Sequence, residues 1–222
     1  CRNQERADQT QARLSGSVQT LVGDLADLHS VVKVIDELRQ SKASFDAMLL
    51  NAGLQYAGHR SPRWSQQGIE LTFAVNHVAH QLMLEGLKEH TRAVVITASE
   101  VHNPATGGGR VGEPAGLGAM QGLREGPGAA MVDGVSPFNA DKAYKDSKLC
   151  NLLMAREFHR QCPALPVVAW SPGLVIPRTS DGFFRNSRQA NPVGQALFGF
   201  VARDLLKLTE TVEHAGELLV QL

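Results

Sequence analysis

An α/β fold built on a doubly wound parallel sheet is predicted by two features of the chain. Short β-branched or apolar runs recur along most of its length, and longer stretches with helical periodicity separate them. The runs are continuously apolar rather than alternating, as suits strands buried on both faces. Strands are expected at Val18 to Val22, Asp46 to Leu50, Ala93 to Ala98 and Val167 to Trp170. Helices are expected at Leu28 to Gln40, Gly68 to Glu89 and Ala140 to Gln161. Strands separated by helices connect through right-handed crossovers. Ligands of such sheets lie at the carboxyl ends of the strands, so the residues just after each strand carry most of the functional information.

The 222 residues, 43% hydrophobic and 20% charged, suit one domain over 1–222 with a sizeable core. Twenty-two basic and 22 acidic side chains leave no net charge to drive binding to a phosphate backbone, so nucleic acid is not expected as a partner. Cys1, Cys150 and Cys162 have neither metal-like spacing nor an even count for a disulfide framework, which favours a reducing compartment. No apolar run reaches the roughly twenty residues that a spanning helix needs. His77 and His80 stand three apart on a helix, but no third ligand has matching spacing, and no metal is expected.

The strand ends are distinctive. Gly23-Asp24-Leu25 follows the first strand, Asn51-Ala52-Gly53 the second, Ser99 the third and Pro172-Gly173 the fourth; the middle helix carries Asn76-His77-Val78-Ala79-His80. Singly, each has a structural reading: Asp24 as an N-cap, Asn51-Ala52-Gly53 as a turn, Ser99 as a loop hydroxyl, Pro172-Gly173 as a chain break. Tyr144 and Lys148, four apart on the last long helix, share one face. An ammonium beside a phenol favours the phenolate and draws the tyrosine pKa down from its usual value near 10, which would make a proton donor.

The ordered set D-L, N-A-G, N-H-x-x-H, S, Y-x-x-x-K, P-G resembles the short-chain dehydrogenase/reductase family over nearly the whole chain. The resemblance implies a Rossmann-like fold and a nicotinamide cofactor. It implies Tyr144 as proton donor, Lys148 lowering its pKa and binding the nicotinamide ribose, Ser99 steadying the substrate or the phenol, and Asn76 supporting a proton-relay water. Asp24 and Leu25 would meet the adenine, Asn51, Ala52 and Gly53 would let the backbone approach the cofactor, and Pro172, Gly173 and Thr179 would border the nicotinamide. Arg2 resembles a reader of the adenosine 2′-phosphate, which points to NADP(H) rather than NAD. The alternative is an arginine merely exposed to solvent.

A narrower wording, Ala143-Tyr144-Lys145-Asp146-Ser147-Lys148-Leu149-Cys150-Asn151 followed by Glu157-Phe158-His159-Arg160, resembles the light-dependent protochlorophyllide oxidoreductases. A glycine-rich insertion at about 103–137 precedes it, with Gln121-Gly122-Leu123 and Met131-Val132-Asp133-Gly134; loops beyond about twelve to fifteen residues are usually functional or disordered. In that family such an insertion borders a tetrapyrrole pocket, and Trp64, Trp170, Phe183 and Phe184 would suit a flat pigment. A floppy low-complexity loop is the other reading. The resemblance implies light-driven hydride transfer from NADPH to a ring double bond, a plastid location, and leaves room for peripheral membrane association.

Retinol dehydrogenase-like relatives share Asn51-Ala52-Gly53, Asn76-His77-Val78-Ala79-His80 and the proline-glycine, and reduce carbonyls in the dark. A relative that binds a nucleotide without catalysis is a third reading. Two departures stand out: Leu174 occupies the place where the light-dependent enzymes usually carry cysteine, and no G-x-x-x-G-x-G precedes a first helix. The chain thus reads as a fragment lacking a first strand, its glycine turn and a last strand, with an amphipathic helix at Leu208 to Leu222.

Overall fold

A computed structural model describes residues 1–126, 129–176 and 183–221. Its centre is a parallel sheet of β1 (Met48–Leu50), β2 (Val94–Thr97) and β3 (Val167–Trp170), in that order. The strands lie in register, with Met48 opposite Val94 and Val94 opposite Val167. Before the sheet come α1 (Gln4–Gln11) and α2 (Leu28–Gln40). Between β1 and β2 one run of helix joins α3 (Leu71–Phe73), a π-helical turn (Ala74–Val78) and α4 (Ala79–Leu87). The short α5 (Gly122–Glu125) lies within the insertion, and α6 (Ala140–Gln161) leads to β3. The chain continues through α7 (Arg185–Ala190), α8 (Pro192–Gly199), a second π-helical turn (Phe200–Leu205) and α9 (Val212–Val220).

The parallel α/β architecture predicted from the sequence is present. Leu50, Val94 and Ile96 pack with Leu84 of α4 and Met154, Ala155 and Phe158 of α6 to form the main core. Val31 and Ile35 of α2 add a second cluster against Ala79 and Leu87. Burying one such aliphatic side chain stabilises the fold by roughly 1.5–3 kcal/mol, so these two clusters hold α2, α4 and α6 in place.

Two expectations about strands require correction. Side chains alternate along a strand, so Leu49 and Val168, in register with Val95, share the opposite face of the sheet, where they are 45% and 36% exposed. β1 and β3 therefore each bury one face rather than two. Val18 to Val22 does not form a ladder strand. It is extended, and its neighbour is Cys1, whose N–H bonds donate to Leu21 O (2.6 Å) and whose carbonyl accepts from Gly23 N (2.7 Å). An apolar, β-branched run favours extension, but a strand also needs a partner backbone along its length.

The middle helix begins at Leu71 rather than Gly68. Glu70 caps it by accepting from the N–H groups of Thr72 (3.0 Å) and Phe73 (2.9 Å), and the buried Tyr56 hydroxyl donates to the same carboxylate. α6 coincides with its predicted span because Asn139, at its N-cap, accepts from Asp141 N and Lys142 N at 3.0 Å. Among the described residues no helix is long and apolar enough to cross a membrane.

Candidate active site

The carboxyl ends of all three strands are joined through one side chain, Thr97, the last residue of β2. Its hydroxyl donates to Asn51 Oδ1 after β1 (2.9 Å) and accepts from Trp170 Nε1 at the end of β3 (3.2 Å). Its carbonyl accepts from Lys148 Nζ (2.8 Å) and Asn151 Nδ2 (3.2 Å), one turn apart on α6. Asn151 Oδ1 in turn meets His77 Nδ1 at 3.1 Å, which locks α6 to the middle helix. The sheet edge that should face a ligand is thus fixed to the helix that carries Tyr144 and Lys148.

Tyr144, half-buried, lies near enough to Ser99 for that hydroxyl to act on its phenol, and packs its ring against Phe183, with centroids 5.2 Å apart. The Lys148 ammonium lies over the same ring, 5.6 Å from its centre. Ser99, Tyr144 and Lys148 therefore lie together. The direction expected for the phenol pKa does not hold: burial of the ring pushes Tyr144 up to about 12, opposed only by the Ser99 hydroxyl. Burial also pushes Lys148 down to about 8. In this arrangement desolvation of the ring outweighs any pull of the ammonium on the phenol.

Asn76 is fully buried in the π-helical turn, a geometry that widens a helix locally and recurs at functional sites. Its Oδ1 accepts from Leu54 N (2.8 Å), while its Nδ2 donates to Leu54 O (2.9 Å) and Ser147 Oγ (3.2 Å). The amide thus pins the loop after β1 to both helices. His80 is pushed down to about 3 by burial, with the Lys148 and His77 charges adding to it, and burial lowers His77 as well. Both imidazoles stay neutral near pH 7, so Lys148 is the positive group beside Tyr144.

Asn51, Ala52 and Gly53 are exposed at the end of β1. Asp24 Oδ1 accepts from Ala26 N (3.0 Å) in a turn that delivers Leu25 to the core beside Val31. Arg2 is exposed and adjoins this turn, because Cys1 brackets Leu21 and Gly23. Gly173 has φ +76°, a left-handed conformation that explains glycine after Pro172. Thr179 lies outside the described residues. Leu174 packs with Phe183 into a cluster on Ile176, Phe184 and Ala202. Trp170 serves the strand-end network, and Trp64 pairs with Glu70 as an isolated antiparallel bridge.

Thr97, Ser147 and Asn151 were not singled out from the sequence. The one available signal is that Ser147 lies one turn after Tyr144 and Asn151 one turn after Lys148.

The fold is similar to that of a solved short chain dehydrogenase family protein from Francisella tularensis, which superposes with a TM-score of 0.61 at 17% identity over 94% of this chain and 76% of the other. No family model matches the chain. An oat (Avena sativa) protochlorophyllide reductase is 36% identical over 220 residues, 93% of this chain and 68% of the relative. A rice (Oryza sativa subsp. japonica) protochlorophyllide reductase A, chloroplastic, is 34% identical over 221 residues, 93% of this chain. The chain spans 56% of the length of the rice relative. It belongs to the short-chain dehydrogenase/reductase family, in the protochlorophyllide reductase group.

Proposed function

We propose that this chain carries the catalytic face of an NADPH-dependent oxidoreductase that reduces a double bond of protochlorophyllide in a light-driven step. The observation that carries the reading is the convergence of Ser99, Tyr144 and Lys148 at the end of β2, on the α6 wording shared with the protochlorophyllide reductases. The donor set fits a dinucleotide laid across the strand ends: exposed residues at Asn51 to Gly53, the Lys148 ammonium beside Tyr144, and the exposed Arg2, which follows the Cys1 that bonds Leu21 and Gly23.

Bound NADPH would supply a hydride to one carbon of the double bond. Tyr144 delivers a proton to the other carbon. A phenol pushed up to about 12 keeps its proton at neutral pH and is therefore loaded as an acid before reaction. As the proton leaves, the phenolate that forms is stabilised by the Ser99 hydroxyl and the Lys148 charge over its ring. Lys148 and Asn51, tied together through Thr97, would hold the ribose. Arg2 would select NADPH through its 2′-phosphate. A plastid location follows from the same reading, since the rice relative is a chloroplastic enzyme.

Dark reduction of a carbonyl compound is the second reading, and Leu174 favours it. A leucine packed into the apolar cluster beside Phe183 offers no thiol to a pigment. In that case Tyr144 protonates the carbonyl oxygen. A relative that only binds nucleotide has no chemical need for Ser99, Tyr144 and Lys148 together.

The full chain mixed with NADPH and protochlorophyllide is expected to shift the pigment's red absorption band only after illumination. No shift, with NADPH instead oxidised in the dark by an aldehyde or ketone, would replace the pigment reading by the carbonyl one.

A further inference from the structure

The three residues between Tyr144 and Lys148 are nearly inaccessible, Lys145 at 4% and Asp146 and Ser147 at 0%, and each reaches a different part of the molecule. Ser147 meets Asn76. Asp146 Oδ1 accepts from Gly116 N (2.8 Å), and its Oδ2 accepts from Lys142 Nζ (2.7 Å). Lys142 Nζ also donates to Gly116 O (2.7 Å) and lies 3.0 Å from Asp133 Oδ2. Asp133 then orders the far end of the insertion, accepting from Val135 N (3.0 Å), Ser136 N (2.9 Å) and Ser136 Oγ (2.6 Å).

Lys145 does something different. Its ammonium donates to three backbone carbonyls of the insertion, Gly109 O (3.1 Å), Val111 O (2.6 Å) and Glu113 O (2.9 Å). Alternate carbonyls turned toward one point repel one another unless a cation sits among them, so the ammonium is the physical cause of this loop conformation. Glycine is needed at 109, where a Cβ would lie 1.8 Å from Asn103 O. The other end of the same limb is Ser99, whose hydroxyl lies near the Tyr144 phenol and acts on it. His102 Nδ1 donates to Ser99 O (2.6 Å), and Thr106 Oγ1 donates to Glu100 O (3.0 Å). Residues 99–113 thus begin beside Tyr144 and are held by its neighbour Lys145.

We propose that Lys145 is a positioning residue: its ammonium, with the Lys142–Asp133–Asp146 cluster beside it, sets the 109–116 limb as a wall of the substrate site and so governs substrate affinity without touching the nicotinamide. This rests on the reading that Tyr144 faces the substrate.

The test uses the full chain carrying Lys145→Met, Lys145→Ala or Lys145→Arg. In Lys145→Met, amide hydrogen exchange over 107–116 is expected to rise at least about tenfold while β2 and α6 keep their protection. Substrate KM rises about tenfold, kcat stays within about threefold, and the NADPH Kd is unchanged. Ethylammonium added to Lys145→Ala restores the KM, whereas Lys145→Arg does not, because a planar guanidinium cannot aim its N–H groups at three converging carbonyls. Unchanged exchange over 107–116, equal losses in kcat and kcat/KM with KM unmoved, or a shifted NADPH Kd would overturn the proposal. Exchange needs no substrate. A loosened limb in a chain that turns over neither pigment nor carbonyl compound supports the clamp and sinks only the substrate reading.

Discussion

Replacing Lys148 with methionine is expected to raise the melting temperature of the chain while lowering turnover at least about a hundredfold, the scale of losing support for a general acid. Lys148 is 3% exposed, and burial pushes its pKa down to about 8 from an ordinary 10.5. A base with a lowered folded-state pKa carries its charge at a cost in the native state. That difference corresponds to roughly 3 kcal/mol at neutral pH, since one pH unit is about 1.4 kcal/mol. The cost is fully present below pH 8 and is relieved as pH rises toward 10.5, because there the unfolded chain binds the extra proton. The parent's stability should therefore climb over this window, and that of Lys148→Met should not. The variant loses one hydrogen bond to Thr97 O, which still accepts from Asn151 Nδ2 at 3.2 Å. After that loss, a net gain of about 2 kcal/mol is expected at pH 7. Thermal scans at pH 7 and pH 9.5 measure it, and a lower melting temperature at pH 7 would contradict the account.

Asn76→Leu should act in the opposite sense. Leucine matches the volume but leaves Leu54 N and Leu54 O without the partner they now have at a position with no solvent exposure, and takes one of its hydrogen bonds from Ser147 Oγ, which keeps the bond to Tyr144 O. Unpaired buried groups cost about 1–3 kcal/mol each, so a loss of roughly 4 kcal/mol is expected from the urea midpoint. The loop from Asn51 to Leu54 should loosen with it, and NADPH should bind less tightly. A loss under about 1 kcal/mol would mean that Asn76 does not pin this loop.

The parts of the molecule that could be read in advance are those whose cause is local. α6 follows from its own periodicity and the Asn139 cap, and β3 from a run of four apolar residues. Val18 to Val22 shows the limit: its pattern matches that of a strand, but pairing depends on a neighbour that the pattern does not encode. The π-helical turn at Asn76 has no local signal, because it arises from hydrogen bonds to Leu54 and Ser147. Thr97 was missed since a threonine ending a strand is unremarkable until Asn51, Lys148, Asn151 and Trp170 are brought to it from 46 to 73 residues away. Lys145, one turn before Lys148 on α6, is the same lesson, for its partners are main-chain carbonyls that no side-chain motif records. The direction of the Tyr144 pKa could not be read from the Tyr144–Lys148 spacing either, because burial of the ring, not the ammonium, dominates it.

The central claim is that Tyr144 is the proton donor of a reaction that takes place at the end of β2. Single-turnover reduction by the full chain carrying Tyr144→Phe, with NADPH and substrate affinities measured alongside, tests it most directly. The phenylalanine ring keeps the contact with Phe183 and the place under Lys148 but has no proton to give. Both affinities are expected to stay within about twofold while the reduction step slows at least about a hundredfold. A reduction rate equal to that of the parent would show that the proton comes from elsewhere.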